Sequence, residues 1–560
     1  WKAEFIGYFN EWLAYFTRND NAELATLGGR WYENAATYSL SALRPALAAY
    51  HGIKSYDGTD ILDNDDFRQW VAWNIGILVP TGDGIRQLPP QGAHAMDKDL
   101  PGGEFENVFS ALSDALLQSA NPESVALGER LLWSITGGTQ GTNPQLTSTL
   151  YTDYGAILRY DYGGPNEAYV NLQQLFGGGY RWSAGTNGTV YYAAQGKRWS
   201  WNDAETSGDS VNVNLLPILT YNNGDSRLGP HAVDGVLYDF DFAQYYRAAG
   251  SGSTYLSRSV MMVRDEYLSI YDDMSNDTMG QFHWNNSGHQ YAGEPPQLYD
   301  VKSGAGDQMH IVAPAPLDVD AKSYGAQVDG QYVFSTGRNE AELNVSDGPA
   351  VFVGKTGYAG PEGVALFEGT KVGFEDLTVE REGGSFGISA KAADNRRIEG
   401  RLAGNSGGTV RVTLPDDFML NDISVTVNGS SVPHTLVGRT IAFDVAVVQA
   451  DGTRTYSIES SSAIALANGG FETGTSTTAD HWIRTNWIGT STYARVTDVA
   501  YAGDYSAQIV QSSAANGGFT KSGSDMPAVV PGLSYTAGMM ARTNDVSGGS
   551  GDGAYLSMQF

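Results

Sequence analysis

The chain has 560 residues, a formal net charge of −29 at pH 7 and no cysteine. This length suits about two to four domains. The charge argues against nucleic acid as a general partner, because polyanions repel each other. Without cysteine there is no disulfide and no cysteine-ligated metal. No apolar run reaches the ~18 residues that span a membrane.

Helical periodicity dominates residues 1 to about 145. The first segment, WKAEFIGYFNEWLAYF, has aromatics and leucine at three- and four-residue spacing. Further helices are predicted over SALRPALAAYHG, DDFRQWVAWNIGILV, ENVFSALSDALLQSA and PESVALGERLLWSITGG. A long polar loop from Thr81 to Gly103 interrupts them, and a loop of that length inside a helical domain is more often functional than idle.

From about Thr147 to Glu459 the apolar pattern has period two. Strands separated by Gly, Asn and Asp turns follow one another without a helix, which indicates stacked antiparallel sheets. SSSAIALANGG is a small-residue linker, and NGGFETG after it opens another β-sandwich. We therefore expect domains at 1–146, 147–459 and 468–560, with a linker at 460–467.

Both ends of the chain suggest an excised or processed piece. The chain begins with Trp1 rather than Met. The last domain offers fewer strands than the ~8 of a jelly roll. We therefore expect the N-terminal helical domain to be incomplete and the C-terminal module to be truncated.

The stretch GGRWYENAATYS, residues 28–39, contains a candidate polar pocket. On a helix, Asn34 and Tyr38 stand four residues apart on one face. With Glu33 they bring together an amide, a carboxylate and a phenol after a Gly-Gly turn.

The order of these segments resembles the heparinase II/III-like polysaccharide lyases, which combine an (α/α) toroid with an antiparallel β-sandwich. Residues 28–39 are similar to the family segment in which a glycine-rich turn and an acidic residue precede the catalytic tyrosine. Residues 151–182 resemble the strand pair that opens the β-domain, and residues 255–274 resemble its long central hairpin. The resemblance implies a multidomain α+β fold: a toroid, a large β-sandwich and a C-terminal β jelly roll.

The sequence departs from the family pattern at two places. The family's Asn-His pair would lie before Trp1. Its histidine-rich turn, of the type G-H-G-H-x-D, is matched here by Gly179-Tyr180-Arg181-Trp182, without histidine. The second catalytic group, and with it the substrate or reaction, is therefore left open.

The resemblance implies a secreted bacterial enzyme, extracellular or periplasmic, that cleaves an acidic, uronate-containing polysaccharide by β-elimination. Tyr38 is the candidate general acid, or acid and base together. Glu33 and Asn34 are candidates to position the uronate or Tyr38, and helix-terminus or turn roles are their structural alternatives. No membrane or nucleic-acid partner is expected, and the oligomeric state is open.

Residues of the polar loop and of the substituted turn complete the candidate site. Arg86 is suited to grip a carboxylate, and His94 to shuttle a proton, with loop scaffolding as the alternative for both. Tyr180 and Arg181 are candidates for the substituted base and a charge clamp. Four tryptophans are candidates for sugar stacking or core packing: Trp31, Trp70, Trp73 and Trp182.

The segment NGGFETG resembles the opening of jelly-roll carbohydrate-binding modules. The resemblance implies that Glu472 holds a structural Ca²⁺; no cofactor is expected for catalysis. Two other functions stay open. One is a glycoside hydrolase that pairs Glu33 with Asp83 or Asp97; the other is a non-catalytic glycan-binding protein. The sequence has neither an HExxH nor a GxSxG motif.

Overall fold

The computed structural model describes residues 1–16, 38–81, 84–89, 102–151, 154–174, 187–200, 219–221, 235–250, 255–274, 280–283, 290–292, 298–302, 308–312, 323–326, 331–336, 351–353, 355–447, 452–460, 467–498, 500, 503–511, 515–521 and 542. The chain forms two compact units. The first comprises Trp1–Ala392, Glu399–Asp416 and Val427–Tyr456, and the second Ala393–Ile398, Asp417–Thr426 and Ser457–Phe560.

The described helices all belong to the N-terminal part of the first unit: α1 Lys2–Phe16, α2 Tyr38–Asp57, α3 Asp65–Ile77, α4 Gly102–Leu117 and α5 Pro122–Ile135. Their N-terminal caps follow from the sequence. The Asn64 side chain accepts hydrogen bonds from the first turn of α3, and Asn121 does the same before Pro122 of α5. None of the described helices is long and apolar enough to cross a membrane.

The predicted polar loop after Thr81 is partly structured. A short hairpin of β1 Val79–Pro80 and β2 Arg86–Gln87 forms where it begins, and α4 starts at Gly102. Residues 90–101, with His94 and Asp97, lie outside the described residues.

The first sheet is an antiparallel meander of five strands: β3 Thr149–Tyr151, β4 Gly155–Tyr160, β5 Ala168–Gln173, β6 Val190–Ala194 and β7 Lys197–Ser200. It shares a hydrophobic core with the helices. Tyr154, Tyr169 and Tyr191 from this segment pack in one cluster with Trp70 and Leu112 of the helices. This shared core fixes the sheet against the C-terminal end of α3.

Larger antiparallel sheets follow. An eight-stranded sheet has the order β14-β15-β16-β18-β12-β11-β10-β9, and a three-stranded sheet the order β17-β13-β8. Their bounds are β8 Leu219–Tyr221, β9 Val236–Asp239, β10 Ala243–Ala249, β11 Tyr255–Val263, β12 Tyr267–Met274, β13 Gly280–His283, β14 Gln290–Ala292, β15 Leu298–Lys302, β16 Gln308–Val312, β17 Ser323–Ala326 and β18 Gln331–Thr336. The predicted central hairpin, residues 255–274, is confirmed as β11–β12.

The last strands of this region are β19 Val351–Val353, β20 Gly357–Gly360, β21 Gly363–Leu366, β22 Lys371–Phe374, β23 Leu377–Glu382, β24 Gly387–Asp394, β25 Arg397–Ala403, β26 Gly408–Thr413, β27 Ile423–Val427, β28 Ser430–Ser431, β29 His434–Val437, β30 Thr440–Val445 and β31 Thr453–Ser460. β22-β23-β26-β30-β29 form a five-stranded sheet, and β19, β20, β21 and β24 pair in that order. The predicted α+β class with antiparallel sheets is confirmed; the toroid and the jelly roll stay predictions.

The second unit contains two antiparallel strand pairs after residue 467. β32 Ile483–Ile488 pairs with β35 Asn516–Thr520, and β33 Thr492–Val496 pairs with β34 Ser506–Val510. Phe519 of β35 packs against Phe471 and Tyr493. These contacts identify the side of β35 on which the aromatic rings pack.

Candidate functional site

Tyr38 is the first residue of α2. The backbone N–H groups of a first helical turn carry the positive end of the helix dipole, which favours negative charge nearby. Residues 17–37 lie outside the described residues, so the grouping of Tyr38 with Trp31, Glu33 and Asn34 stays a prediction.

The substituted turn lies in the connection between β5 and β6. Tyr180, Arg181 and Trp182 fall within residues 175–186, outside the described residues. The described residues at both ends of that connection are polar and buried: Gln173, Gln174, Asn187 and Thr189. The Gly188 N–H donates to Gln173 O at 2.8 Å, so the two ends are held together.

A buried ion pair on the central hairpin reaches this place. Arg258 of β11 and Asp272 of β12 are cross-strand partners. Arg258 Nε donates to Asp272 Oδ1 at 2.7 Å and Nη2 donates to Oδ2 at 2.8 Å. Arg258 is 0% exposed, and its Nη1 donates to the carbonyl oxygen of Gly188. The pair therefore anchors the C-terminal end of the β5–β6 connection.

A second buried polar contact holds the other end of the connection. The hydroxyl of Tyr246, on β10, donates to Gln174 Oε1. The Gln174 N–H donates to Tyr154 O at 2.9 Å. The sequence interpretation recognised the hairpin but missed Arg258, Asp272 and Tyr246. An arginine and an acid in register on the two strands of one hairpin were the available signal.

Arg86 is buried and ion-paired, so of the two roles that the sequence left open for it the structure supports scaffolding. It is 2% exposed, and its Nη2 is paired with Glu167. The guanidinium carbon lies 4.3 Å from the ring centre of Trp133 and 4.5 Å from that of Tyr162. Because the carboxylate partner and both ring faces come from the protein itself, the guanidinium has a structural role here.

Ionisable groups in this cluster have shifted pKa values. Burial lowers the pKa of Arg86, and Glu167 offsets part of that effect. Burial also raises the pKa of Glu167, against the attraction of Arg86 and Arg159. Burial likewise raises the pKa of the Tyr162 phenol. Burial thus disfavours the charged form of each of these groups, and the Arg86 guanidinium is paired with Glu167.

Arg159 closes the C-terminal end of α3. Its Nη2 donates to Gly76 O at 2.7 Å and to Leu78 O at 3.0 Å. The Tyr169 hydroxyl donates to Ile77 O at 3.2 Å. Carbonyls at the end of a helix have no hydrogen-bond donor within the helix. Side chains of strands β4 and β5 donate to these three carbonyls.

Trp70 and Trp73 pack in the core, which is one of the two roles that the sequence left open for them. Each is 2% exposed and lies in the core shared by the helices and the first sheet. Trp73 packs edge-on against Tyr154, with ring centres 5.2 Å apart. Their apolar area is used in the core.

The Glu472 side chain contacts the backbone at Asp504. Its Oε2 accepts a hydrogen bond from the Asp504 N–H at 3.1 Å. The described residues contain no group of three or more His, Asp or Glu side chains suited to a metal ion. The Ca²⁺ that the resemblance implies at Glu472 stays a prediction, since backbone and amide carbonyl oxygens can also be ligands of Ca²⁺.

The guanidinium of Arg495 places a positive charge beside Glu472. Arg495 Nε donates to Phe471 O at 2.7 Å, Nη1 to Gly474 O at 3.2 Å and Nη2 to Glu472 O at 2.5 Å. Its guanidinium carbon lies 3.3 Å from the ring centre of Tyr505. One guanidinium thus donates hydrogen bonds to three carbonyl oxygens of the NGGFETG segment.

Comparison with known proteins gives only distant likeness. No protein-family model matches the chain, and no curated protein sequence matches it. A heparinase III gene product matches 67% of this chain and 57% of its own length, with 14% identity and a TM-score of 0.44. Heparan sulfate lyase HepC from Pedobacter heparinus matches 88% of this chain and 61% of its own length, with 12% identity and a TM-score of 0.36.

Chondroitin AC lyase from Streptomyces coelicolor A3, solved with chondroitin sulphate, matches 77% of this chain and 70% of its own length, with 12% identity and a TM-score of 0.44. The chain thus spans 57% of the length of the heparinase III gene product. These identities and TM-scores are too low to assign the chain to a family.

Proposed function

We propose that the chain is a polysaccharide lyase that cleaves a uronate-containing acidic polysaccharide by β-elimination. The observation that carries the proposal is the anchoring of the β5–β6 connection by the buried Arg258–Asp272 pair. Burying two charges costs desolvation energy that a well-packed apolar pair would not. A buried pair that fixes one end of the β5–β6 connection indicates that the position of this connection matters, and the connection includes Tyr180 and Arg181.

In this reaction a base takes the proton from C5 of the uronate, and its electron pair forms the C4=C5 double bond. The C4–O4 bond breaks, and an acid protonates the leaving O4. General acid and base steps each contribute about 10²–10⁴-fold. Tyr38 is the proposed acid, or both acid and base, and the start of α2 is an environment that favours developing negative charge.

The remaining roles rest on the sequence. Tyr180 is the proposed base where Tyr38 acts only as acid, and Arg181 the clamp that neutralises the uronate carboxylate. Glu33 and Asn34 position the sugar, Trp31 and Trp182 stack on it, and His94 shuttles a proton. We further propose secretion to the exterior or the periplasm of a bacterium, and a C-terminal carbohydrate-binding module of jelly-roll type.

Product analysis tests the reaction. The full chain is incubated with heparan sulfate, chondroitin sulfate, alginate, ulvan, gellan and xanthan, and the ultraviolet absorbance of an unsaturated uronyl end is followed. A lyase produces that absorbance together with new chain ends. New reducing ends without the absorbance would show a hydrolase, and binding without any product would show a non-catalytic glycan-binding protein.

The role of Tyr38 is tested by a conservative substitution. Tyr38→Phe removes the hydroxyl alone, and we expect turnover to fall by about 10²-fold or more. Tyr56, 83% exposed on the same helix, provides the matched control, and Tyr56→Phe should keep full turnover. Full turnover of Tyr38→Phe would remove Tyr38 from the mechanism.

A further inference from the structure

The second unit presents one tryptophan to solvent at a strand irregularity. Trp487 is 55% exposed on β32. Asn486 is opposite Gly517 and Ile488 is opposite Asn516, so Trp487 has no partner residue on β35 and is the extra residue of a β-bulge. A bulge redirects a side chain relative to the regular alternation of a strand.

The indole ring lies against bare backbone. A Cβ atom placed at Gly518 would be 3.1 Å from Trp487 Cη2 and 3.2 Å from Cζ3. Because glycine has no side chain, the six-membered ring can rest close to the strand. The glycine supports the ring on one side, and the exposed part of the indole faces solvent.

Hydroxyl groups lie on the same side of the strand pair. Thr485 is opposite Gly518, and Ile483 is opposite Thr520. The Thr485 and Thr520 hydroxyl oxygens are 2.9 Å apart. We call Ile483, Thr485, Trp487, Gly518 and Thr520 the Trp487 face.

The opposite side of the pair carries the aromatic contacts of this unit. Phe519 packs against Phe471 and Tyr493, and the Tyr493 hydroxyl donates to Asn486 Oδ1 at 2.8 Å. The Trp487 face is therefore the outer side of β32 and β35.

The chemistry of this face selects its ligand. All five side chains are uncharged, so the face gives no grip on a carboxylate or a sulfate. A pyranose ring has an apolar C–H surface that stacks on an aromatic ring and hydroxyls at its edge that pair with threonine. A tryptophan covers about 150–250 Å², whereas a specific protein interface needs about 800 Å² per partner. The area fits a sugar ring better than a protein.

We propose that the Trp487 face binds an uncharged pyranose residue of a polysaccharide, with the ring stacked on the indole and its hydroxyls near Thr485 and Thr520. The site does not depend on the proposed lyase reaction, because none of its residues takes part in it. It would hold the enzyme on a glycan through uncharged sugar units.

Affinity electrophoresis of the full chain tests the site. Native gels contain hydroxyethyl cellulose, galactomannan or arabinoxylan as the soluble neutral probe. We expect at least one of these polymers to retard the native chain, and Trp487→Ala to weaken that binding by roughly tenfold or more, because the stacked apolar area is lost. Trp487→Phe, which keeps an aromatic ring, should retain part of the binding.

Two controls separate stacking from general surface apolarity. Val510→Ala removes an exposed apolar side chain of the second unit outside the Trp487 face, and Tyr56→Ala removes an exposed aromatic ring from the first unit; both should bind like the native chain. Gly518→Val keeps the indole but displaces it, and should weaken binding. Retardation of Trp487→Ala equal to that of the native chain, or no retardation by any of the three polymers, would overturn the proposal.

Since the gels report binding alone, their result is independent of whether an unsaturated uronyl product forms. Failure of the lyase assay with Trp487-dependent retardation would leave the site in place. Lyase activity without retardation in the gels would contradict the sugar site on the Trp487 face and leave the lyase proposal unaffected.

Discussion

Arg258 and Asp272 show how two residues determine the position of a distant connection. The two side chains satisfy each other with two hydrogen bonds, and the remaining nitrogen of Arg258 holds Gly188. Inside a protein such a pair contributes little net stability, but removing one partner leaves an uncompensated buried charge. The effect of the pair on the free energy of unfolding is therefore large only when one partner is removed.

We predict that Arg258→Met lowers the free energy of unfolding by about 3–5 kcal/mol, and that adding Asp272→Leu restores a large part of the loss. Urea unfolding followed by circular dichroism measures both. The exposed pair Arg411–Glu382 is the control, since Arg411→Met should cost much less than Arg258→Met. Equal losses for Arg258→Met and Arg411→Met would contradict the interpretation.

Glu167 gives a prediction about pH. Its pKa is raised by burial, so the folded state binds the proton more tightly than the unfolded state. The stabilisation that comes with protonation is complete below the ordinary glutamate pKa, and is lost as pH rises through the raised pKa. The free energy of unfolding should therefore gain a contribution from Glu167 as pH falls from neutral.

The measurement compares the native chain with Glu167→Gln at several pH values between neutral and the ordinary glutamate pKa. The difference in free energy of unfolding between the two should change with pH in this window and level off below it. A difference independent of pH would show that the Glu167 pKa is the same in the folded and unfolded states.

At the scale of elements, α3 is completed by strands that follow it by about eighty residues in the chain. Arg159 and Tyr169 donate to the carbonyls of Gly76, Ile77 and Leu78. A helix end that lacked these donors would leave buried carbonyls unsatisfied. The first sheet and the helices therefore stabilise each other.

The NGGFETG segment of the second unit is organised around Arg495. We predict that Arg495→Met lowers the melting temperature of this unit, because three carbonyls and the Tyr505 ring lose their cation. Chelation of the native chain with EGTA should change that temperature much less. Differential scanning calorimetry, with Arg484→Met as an exposed arginine control on β32, measures both. A large EGTA effect would contradict this prediction and support the Ca²⁺ predicted at Glu472.

At the scale of the whole molecule, the net charge of −29 opposes an acidic substrate. Long-range repulsion slows the encounter of like-charged molecules and is screened by salt. If the chain acts on a uronate polymer, kcat/KM should rise with ionic strength at the low-salt end, by about two- to tenfold between roughly 10 and 100 mM. Initial rates on the most active polymer, with an uncharged oligosaccharide binding series as control, measure it. A steady decline from the lowest salt would indicate a local basic site that dominates.

The order of helices and strands follows from the amino-acid sequence alone. Helices precede strands because apolar spacing of three and four gives way to spacing of two, and this periodicity is a local property. The β11–β12 hairpin and the N-terminal caps of α3 and α5 follow from the same short-range signals.

The roles of the polar and aromatic side chains, in contrast, depend on contacts between distant parts of the chain. Arg86 is paired with Glu167, a residue 81 positions away, and Trp70 and Trp73 are enclosed in the core, so none of the three faces a substrate. Trp487 is exposed because a bulge and a glycine on the neighbouring strand place it there. A partner that is distant in the chain leaves no periodic trace in the sequence, and for that reason the roles of these residues could not be predicted from it.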